Sequence, residues 1–319
     1  MSASSMRLRS AVSFLAPFLG VVVVFLVFSI LTPEFLSLYN LKTILTQTVI
    51  VALGAIGMTY VIVAGGIDLS VGSVIALSSV LTAIVLRDGG SVIVAVGAGV
   101  AAGALVGLVN GLLTTRLSIV PFIVTLGTMS VARGVSKWFA DEQKVDANAR
   151  GLETVMSKSP DPAWLLVGPG VWLTTGLALA MGFVLLRTTF GTYTKAIGSN
   201  EATARLCGVP VERVTVAVYV IAGVFAGLAG VMQFSRLTVG DPTAALGLEL
   251  NVIAAVVIGG GSLSGGRGGI GGSMIGALLM AMLANGCNLA GLPNYVQEIL
   301  VGAIIVAAVA ADRLRSRSG

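Results

Sequence analysis

The acid–base and nucleophilic repertoire of this sequence is small: 14 carboxylates, two cysteines and no histidine among 319 residues. Without histidine there is no Ser-His-Asp or Cys-His catalysis, no H-E-x-x-H zinc site and no imidazole proton relay. Cys207 and Cys287 form no C-x-x-C pair, so both read as small helix residues and not as a zinc ribbon or redox motif. Gly266-Arg267-Gly268-Gly269-Ile270-Gly271 has the G-x-G-x-x-G spacing of a dinucleotide loop. It lies between apolar runs, however, and the next acid is Glu298, so the nucleotide reading fails. No G-x-x-x-x-G-K-[ST] loop is present for ATP. The remaining polar groups stand singly in apolar surroundings. Asp68 separates two early apolar runs, where a charge costs about 2.5–3.5 kcal/mol on insertion scales. It is either functional or the N-cap of a helix starting at Leu69, holding the amides of Ser70 or Val71. Asn110, Gln233, Asn251 and Asn285 could line a path for a hydroxylated solute or bond one helix to another. The chemistry on offer is recognition and passage of a solute, with no cofactor or metal.

The elements that would hold these groups are membrane helices. Hydrophobic residues make up 56% of the chain and charged ones 10%, against about 25% charge in an average soluble domain. That nearly excludes a soluble enzyme. The 19 Lys+Arg are scattered between apolar runs and form no aromatic-lined stripe, so nucleic acid is not an expected partner. Splitting the chain at its charges leaves runs 10–33, 43–67, 69–86, 89–115, 117–132, 162–186, 214–235, 250–266, 268–297 and 299–311. A crossing needs roughly 20 apolar residues. Runs 69–86, 117–132 and 250–266 are marginal, 299–311 spans only from near Tyr295, and 268–297 is broken by a turn between Asn285 and Asn294. The expectation is an all-α polytopic integral membrane protein of about ten transmembrane helices. The first run, with Pro17 and no A-x-A site, reads as a retained helix and not a cleaved signal.

Basic residues in the loops set the orientation. With the N-terminus in the cytoplasm, eleven basic residues fall inside and eight outside, five of the eight in segment 133–161 beside five acids. Both termini are therefore expected inside. Segment 133–161 reads as an external loop or short surface helix, and 187–213 as the largest cytoplasmic connection.

The 42 glycines, about 13% of the chain against a usual 7%, are not spread at random. Gly65-Gly66-Ile67-Asp68-Leu69-Ser70 resembles Gly259-Gly260-Gly261-Ser262-Leu263-Ser264 at an offset of 194, and Gly72-Ser73 resembles Gly272-Ser273 at 200. Glycine-interrupted segments at matching places in two halves point to a transporter pathway, here a possible parallel repeat. Gly103, Gly107 and Gly111 fall four apart, as do Gly223 and Gly227, and Gly272 and Gly276. Such spacing serves either close packing inside the chain or a dimer seam.

Leu41 to Ser73, with Val63-Ala64-Gly65-Gly66-Ile67-Asp68-Leu69-Ser70-Val71-Gly72-Ser73 at its centre, closely resembles the permease subunits of bacterial ABC-type monosaccharide importers of the ribose/xylose/arabinose group. Val120 to Met129, Ala196 to Asn200 running on to Gly208-Val209, and Val257 to Gly272 resemble the same family, in the same order. The resemblance implies one permease domain over 1–319, with about ten helices in a two-fold core. Its implied partners are cytoplasmic ATP-binding subunits, an external sugar-binding protein, a second permease copy or sister permease, and membrane lipid. It also implies that 187–213 holds the coupling helix, with an E-A-A-x-x-x-G-type pattern ending at Gly208. Here residue 202 is alanine and Glu201 stands one position early, while Ala204, Arg205, Leu206 and Gly208 fit.

The residues alone agree on that loop. Asn200 can cap a short helix, Glu201 suits its positive end, and Gly208 can close it before Pro210. The function expected is the permease subunit of an ATP-driven importer, moving a pentose or similar sugar across a bacterial inner membrane by alternating access. The chain itself would perform no catalysis. The coupling residues would be Asn200, Glu201, Ala204, Arg205, Leu206 and Gly208. The pathway candidates are Gly65, Gly66, Asp68, Ser70, Asn110, Asn251, Gly260, Ser262 and Ser264. The rivals are an ion-coupled secondary transporter using Asp68, or import of a nucleoside or signalling sugar.

Overall fold

A computed structural model describes residues 18–317, with side chains to residue 310. The expected retention of the first apolar run falls outside these residues before Phe18. The described helices are α1 (Phe18–Leu31), α2 (Leu38–Val63), α3 (Val71–Arg87), α4 (Val92–Arg116), α5 (Pro121–Phe139) and α6 (Pro169–Arg187). They continue as α7 (Thr189–Ser199), α8 (Glu201–Leu206), α9 (Val211–Leu237), α10 (Leu248–Ile258), α11 (Ile270–Leu289) and α12 (Asn294–Arg317). Local chemistry sets many of the ends. Pro121 and Pro169 open α5 and α6, where a missing amide costs nothing. The Ser37 and Ser91 side chains accept from the third amide beyond them.

Every apolar run carries a helix, and α2, α4, α6, α9 and α11 are long and apolar enough to cross a bilayer by length and composition. Run 250–266 is different. Its helix α10 stops at Ile258 after 11 residues, about 16 Å at 1.5 Å per residue, roughly half of a hydrocarbon core. The glycines that follow end it, so this run does not supply a full-length helix.

Two further boundaries move. Segment 133–161 is not all loop: α5 continues through Arg133 and Lys137 to Phe139. The Arg133 guanidinium is satisfied there, donating to the carbonyls of Pro242 and Ala244 at 2.8 and 2.7 Å. Beyond α5, strand β1 (Val145–Asp146) pairs antiparallel with β2 (Val239–Gly240). The connection 187–213 holds two helices, α7 and α8, with α9 starting at Val211.

The core is built round α2. Of its most apolar stretch, 94% is buried, against 22% for α4 and for α6. α9, α10 and α11 pack against α2, and α4 lies along α9. That last contact is made by the glycines. A Cβ at Gly103 would meet the Gly223 carbonyl and, at 2.9 Å, the Gly227 Cα; one at Gly111 would come within 2.8 Å of the Val216 Cα. Gly276 approaches the Ala255 carbonyl and Gly272 that of Gly259 in the same way. The four-residue spacings therefore serve close packing inside the chain.

Candidate functional site

Two short helices meet at Asn200. Thr188 caps α7, and the Asn200 side chain accepts from the Thr203 amide at 2.9 Å to start α8. The Val209 amide reaches back to the Ala204 carbonyl and that of Gly208 to Arg205, both at 3.1 Å. Gly208 sits at φ +80°, the left-handed residue that such a closing motif requires. Arg205 bridges two carboxylates, Glu212 at 2.7 Å and Glu201 at 3.0 Å. The Glu212 hydrogen bond first, and then that to Glu201, holds the guanidinium above its ordinary pKa. Ala204 is buried beneath the loop, while Leu206 is 89% exposed. Glu212 carried no marker in the sequence, because its pairing with Arg205 needs the turn at Gly208–Pro210 to fold back.

The two glycine breaks are alike in backbone. After α2, Gly66 donates to the Val61 carbonyl and Gly65 to that of Ile62, at 2.8 and 2.9 Å. After α10, Gly261 donates to Val256 and Gly260 to Val257, at 2.8 and 3.0 Å. Gly65 and Gly260 take φ +86° and +92°. Both are helix-closing motifs, of the kind that also ends α3 at Gly89–Gly90 and α11 at Gly291–Leu292. The breaks also touch each other. Gly266 donates to the Val63 carbonyl at 2.9 Å, and Thr59 and Ser273 share a hydrogen bond of 2.7 Å between their hydroxyls. Gly198, in the last turn of α7, lies against Val63, Gly65, Gly265 and Gly266. The Asn200 loop thus rests directly on both breaks. The G-x-G-x-x-G stretch belongs to this junction and follows α10, not a strand.

The pathway candidates divide into four groups. Asp68, Ser70 and Asn110 are buried at 2%, 1% and 0% exposure and bond one another. The Asp68 carboxylate accepts from the Ser70 amide and hydroxyl at 2.8 and 2.6 Å. Asn110 donates to the Ser70 hydroxyl at 3.0 Å and accepts from Thr128 at 2.6 Å. This chain fastens the start of α3 to α4 and α5. Gly65 and Gly66 line a cavity of about 330 Å³ with Glu201, Arg205, Glu212 and Tyr219. The Tyr219 and Thr114 hydroxyls in its wall have no hydrogen-bond partner among the described residues. Gly260, Ser262 and Ser264 belong to the second break, with Ser262 buried and Ser264 exposed. Asn251 faces a separate cavity between α2, α9, α10, α11 and α12.

The family described as "Branched-chain amino acid transport system / permease component" matches residues 40–309. The ribose import permease protein RbsC of Bacillus subtilis (strain 168) is 42% identical over 310 residues, covering 95% of this chain and 93% of that protein. RbsC of Escherichia coli (strain K12) is 38% identical over 301 residues, 92% of each. The L-arabinose ABC transporter permease protein AraH of Azospirillum brasilense is 36% identical over 300 residues, 93% of this chain and 87% of that protein. No solved structure matches the chain. With its polytopic helical fold and a match running nearly end to end, the chain belongs to this family of transport-system permease components, alongside the ribose and L-arabinose permeases.

Proposed function

We propose that this chain is the membrane-spanning permease subunit of an ATP-driven monosaccharide importer. The observation that carries the reading is 42% identity to a ribose import permease across 95% of the chain. The subunit is not itself catalytic. ATP would be hydrolysed by cytoplasmic ATP-binding subunits, an external sugar-binding protein would deliver the solute, and a second permease copy or sister permease would complete the pathway. The whole chain acts as one permease domain in the bacterial inner membrane, with both termini and the connection 187–213 inside and the segment following α5 outside.

The site of coupling is the Asn200–Gly208 loop. Glu201 and Arg205 keep α8 rigid and charged, Ala204 anchors it, and the exposed Leu206 offers an apolar contact to a partner groove. Displacement of this loop by the ATPase would bear on Gly198 and through it on both breaks, which lie where helices must move. An ion-coupled mechanism on Asp68 is not favoured, because its Oδ1 is already engaged in holding Ser70.

The test is uptake of labelled ribose and L-arabinose into proteoliposomes holding the chain with its ATPase subunits and binding protein. Uptake that requires ATP and the binding protein supports the reading. Uptake driven by an ion gradient with the ATPase omitted overturns it.

A further inference from the structure

At the end of the bundle far from the Asn200 loop, six polar residues from five helices converge on a cavity of about 290 Å³. This is near the lower end of the ~300–1,000 Å³ range of small-ligand clefts. α2 contributes Gln47, α9 Gln233 and Arg236, α10 Asn251, α11 Asn288 and α12 Gln297. They come from five separate stretches of sequence, so their meeting is a property of the fold. Gln233 is 8% exposed, and its oxygen accepts only a long 3.4 Å bond from Arg236. The Arg236 Nε is buried with no partner among the described residues. No carboxylate lines the cavity, and among the described residues Arg236 forms no ion pair.

A half-buried guanidinium with an unpaired Nε, and amides that apart from Gln233 have no partner among the described residues, suit a ligand able both to donate and to accept. A cation is repelled by Arg236, and an apolar solute would leave the Arg236 Nε and most of the amides unsatisfied. A neutral polyol fits, because each hydroxyl both gives and takes a hydrogen bond, and adjacent hydroxyls match the guanidinium fork. We infer that this cavity is a solute subsite for a monosaccharide, with Arg236 as its principal donor and Gln47, Gln233 and Asn251 completing the contacts. The inference rests on the sugar-importer reading and assigns that solute a place within the single chain, on the side remote from the coupling loop.

The experiment measures uptake of labelled ribose and L-arabinose by the reconstituted complex carrying Arg236→Gln, Arg236→Lys or Gln47→Leu, per assembled complex, with ATP hydrolysis followed in parallel. Arg236→Gln should lower uptake at low sugar concentration by about tenfold, the loss expected for a charged hydrogen bond. Arg236→Lys should restore part of it, and Gln47→Leu should weaken uptake less. ATP hydrolysis should persist in all three. If Arg236→Gln does not assemble, Gln47→Leu probes the same cavity from another helix and carries the decision. Variants that import both sugars at the parental rate overturn the subsite alone. A parent complex that moves neither sugar overturns the importer reading, and the subsite with it.

Discussion

The backbone amide of Gly266 donates to the carbonyl of Val63 at 2.9 Å, so the second glycine break hangs from the last turn of the helix that enters the first. Gly198 is inserted at the same point. A methyl group there would overlap the Val63 carbonyl and come within 2.6 Å of the Gly266 nitrogen.

Gly198→Ala should therefore destabilise the purified chain by about 1–3 kcal/mol, the usual cost of overpacking. Gly97 of α4 has open space round its Cα, and Gly97→Ala should be neutral or raise stability by about 0.5–1 kcal/mol, as for alanine in any helix interior. Thermal unfolding in one detergent compares them. Equal melting temperatures would mean that the junction yields to a methyl group.

The Asn200 loop offers a test of docking. Arg205→Glu would place three acids together where Arg205 now bridges Glu201 and Glu212. Gly208→Pro would impose φ near −65° on a residue at +80°. The double variant should insert normally and fail to co-purify with the ATPase subunits. Retained co-purification would move the docking site elsewhere.

Asp68 separates two mechanisms. Asp68→Asn keeps an acceptor for Ser70 and should leave ATP-driven uptake within about twofold of the parent. Asp68→Ala abandons the buried Ser70 amide and should cost about 1–3 kcal/mol of stability. Gradient-driven uptake present in the parent and abolished in Asp68→Asn would restore the ion-coupled alternative.

Arg133 holds the segment that leads into α10. Arg133→Met removes the donor to the Pro242 and Ala244 carbonyls, which should cost about 1.5–3 kcal/mol as for other charged hydrogen bonds. It should also expose residues 241–247 to protease. An unchanged digestion pattern would show that β2 and α10 suffice to fix this segment.

The sequence was most readable where backbone chemistry is local. Asn200 and Gly208 mark the ends of α8 because a cap and a left-handed residue act within one turn. The two breaks were visible as glycine pairs, because a helix-closing turn needs a left-handed residue at Gly65 and at Gly260. The length of α10 was hidden, because 250–266 is uncharged throughout and only the folded backbone shows Gly259–Gly261 ending the helix. Strands β1 and β2, of two residues each, have no period to detect. Asn110 stood out as polar, yet nothing local says that it meets Ser70, 40 positions earlier. Arg236 and Gln47 were unreadable as a pair for the same reason: their cavity exists only between helices distant in sequence.

The burial of α2 has a consequence for the lipid that surrounds the protein. At 26 residues it is about 39 Å long at 1.5 Å per residue, well beyond an average hydrocarbon thickness of roughly 30 Å. Since 94% of its most apolar stretch is covered by protein, acyl chains scarcely wet it and mismatch is not relieved by tilting this helix. Any thinning or thickening of the bilayer would bear instead on helices such as α4 and α6, of whose most apolar stretches this chain covers only 22%. Swapping short-chain for long-chain lipid would thus tilt the rim about a mast that stays put.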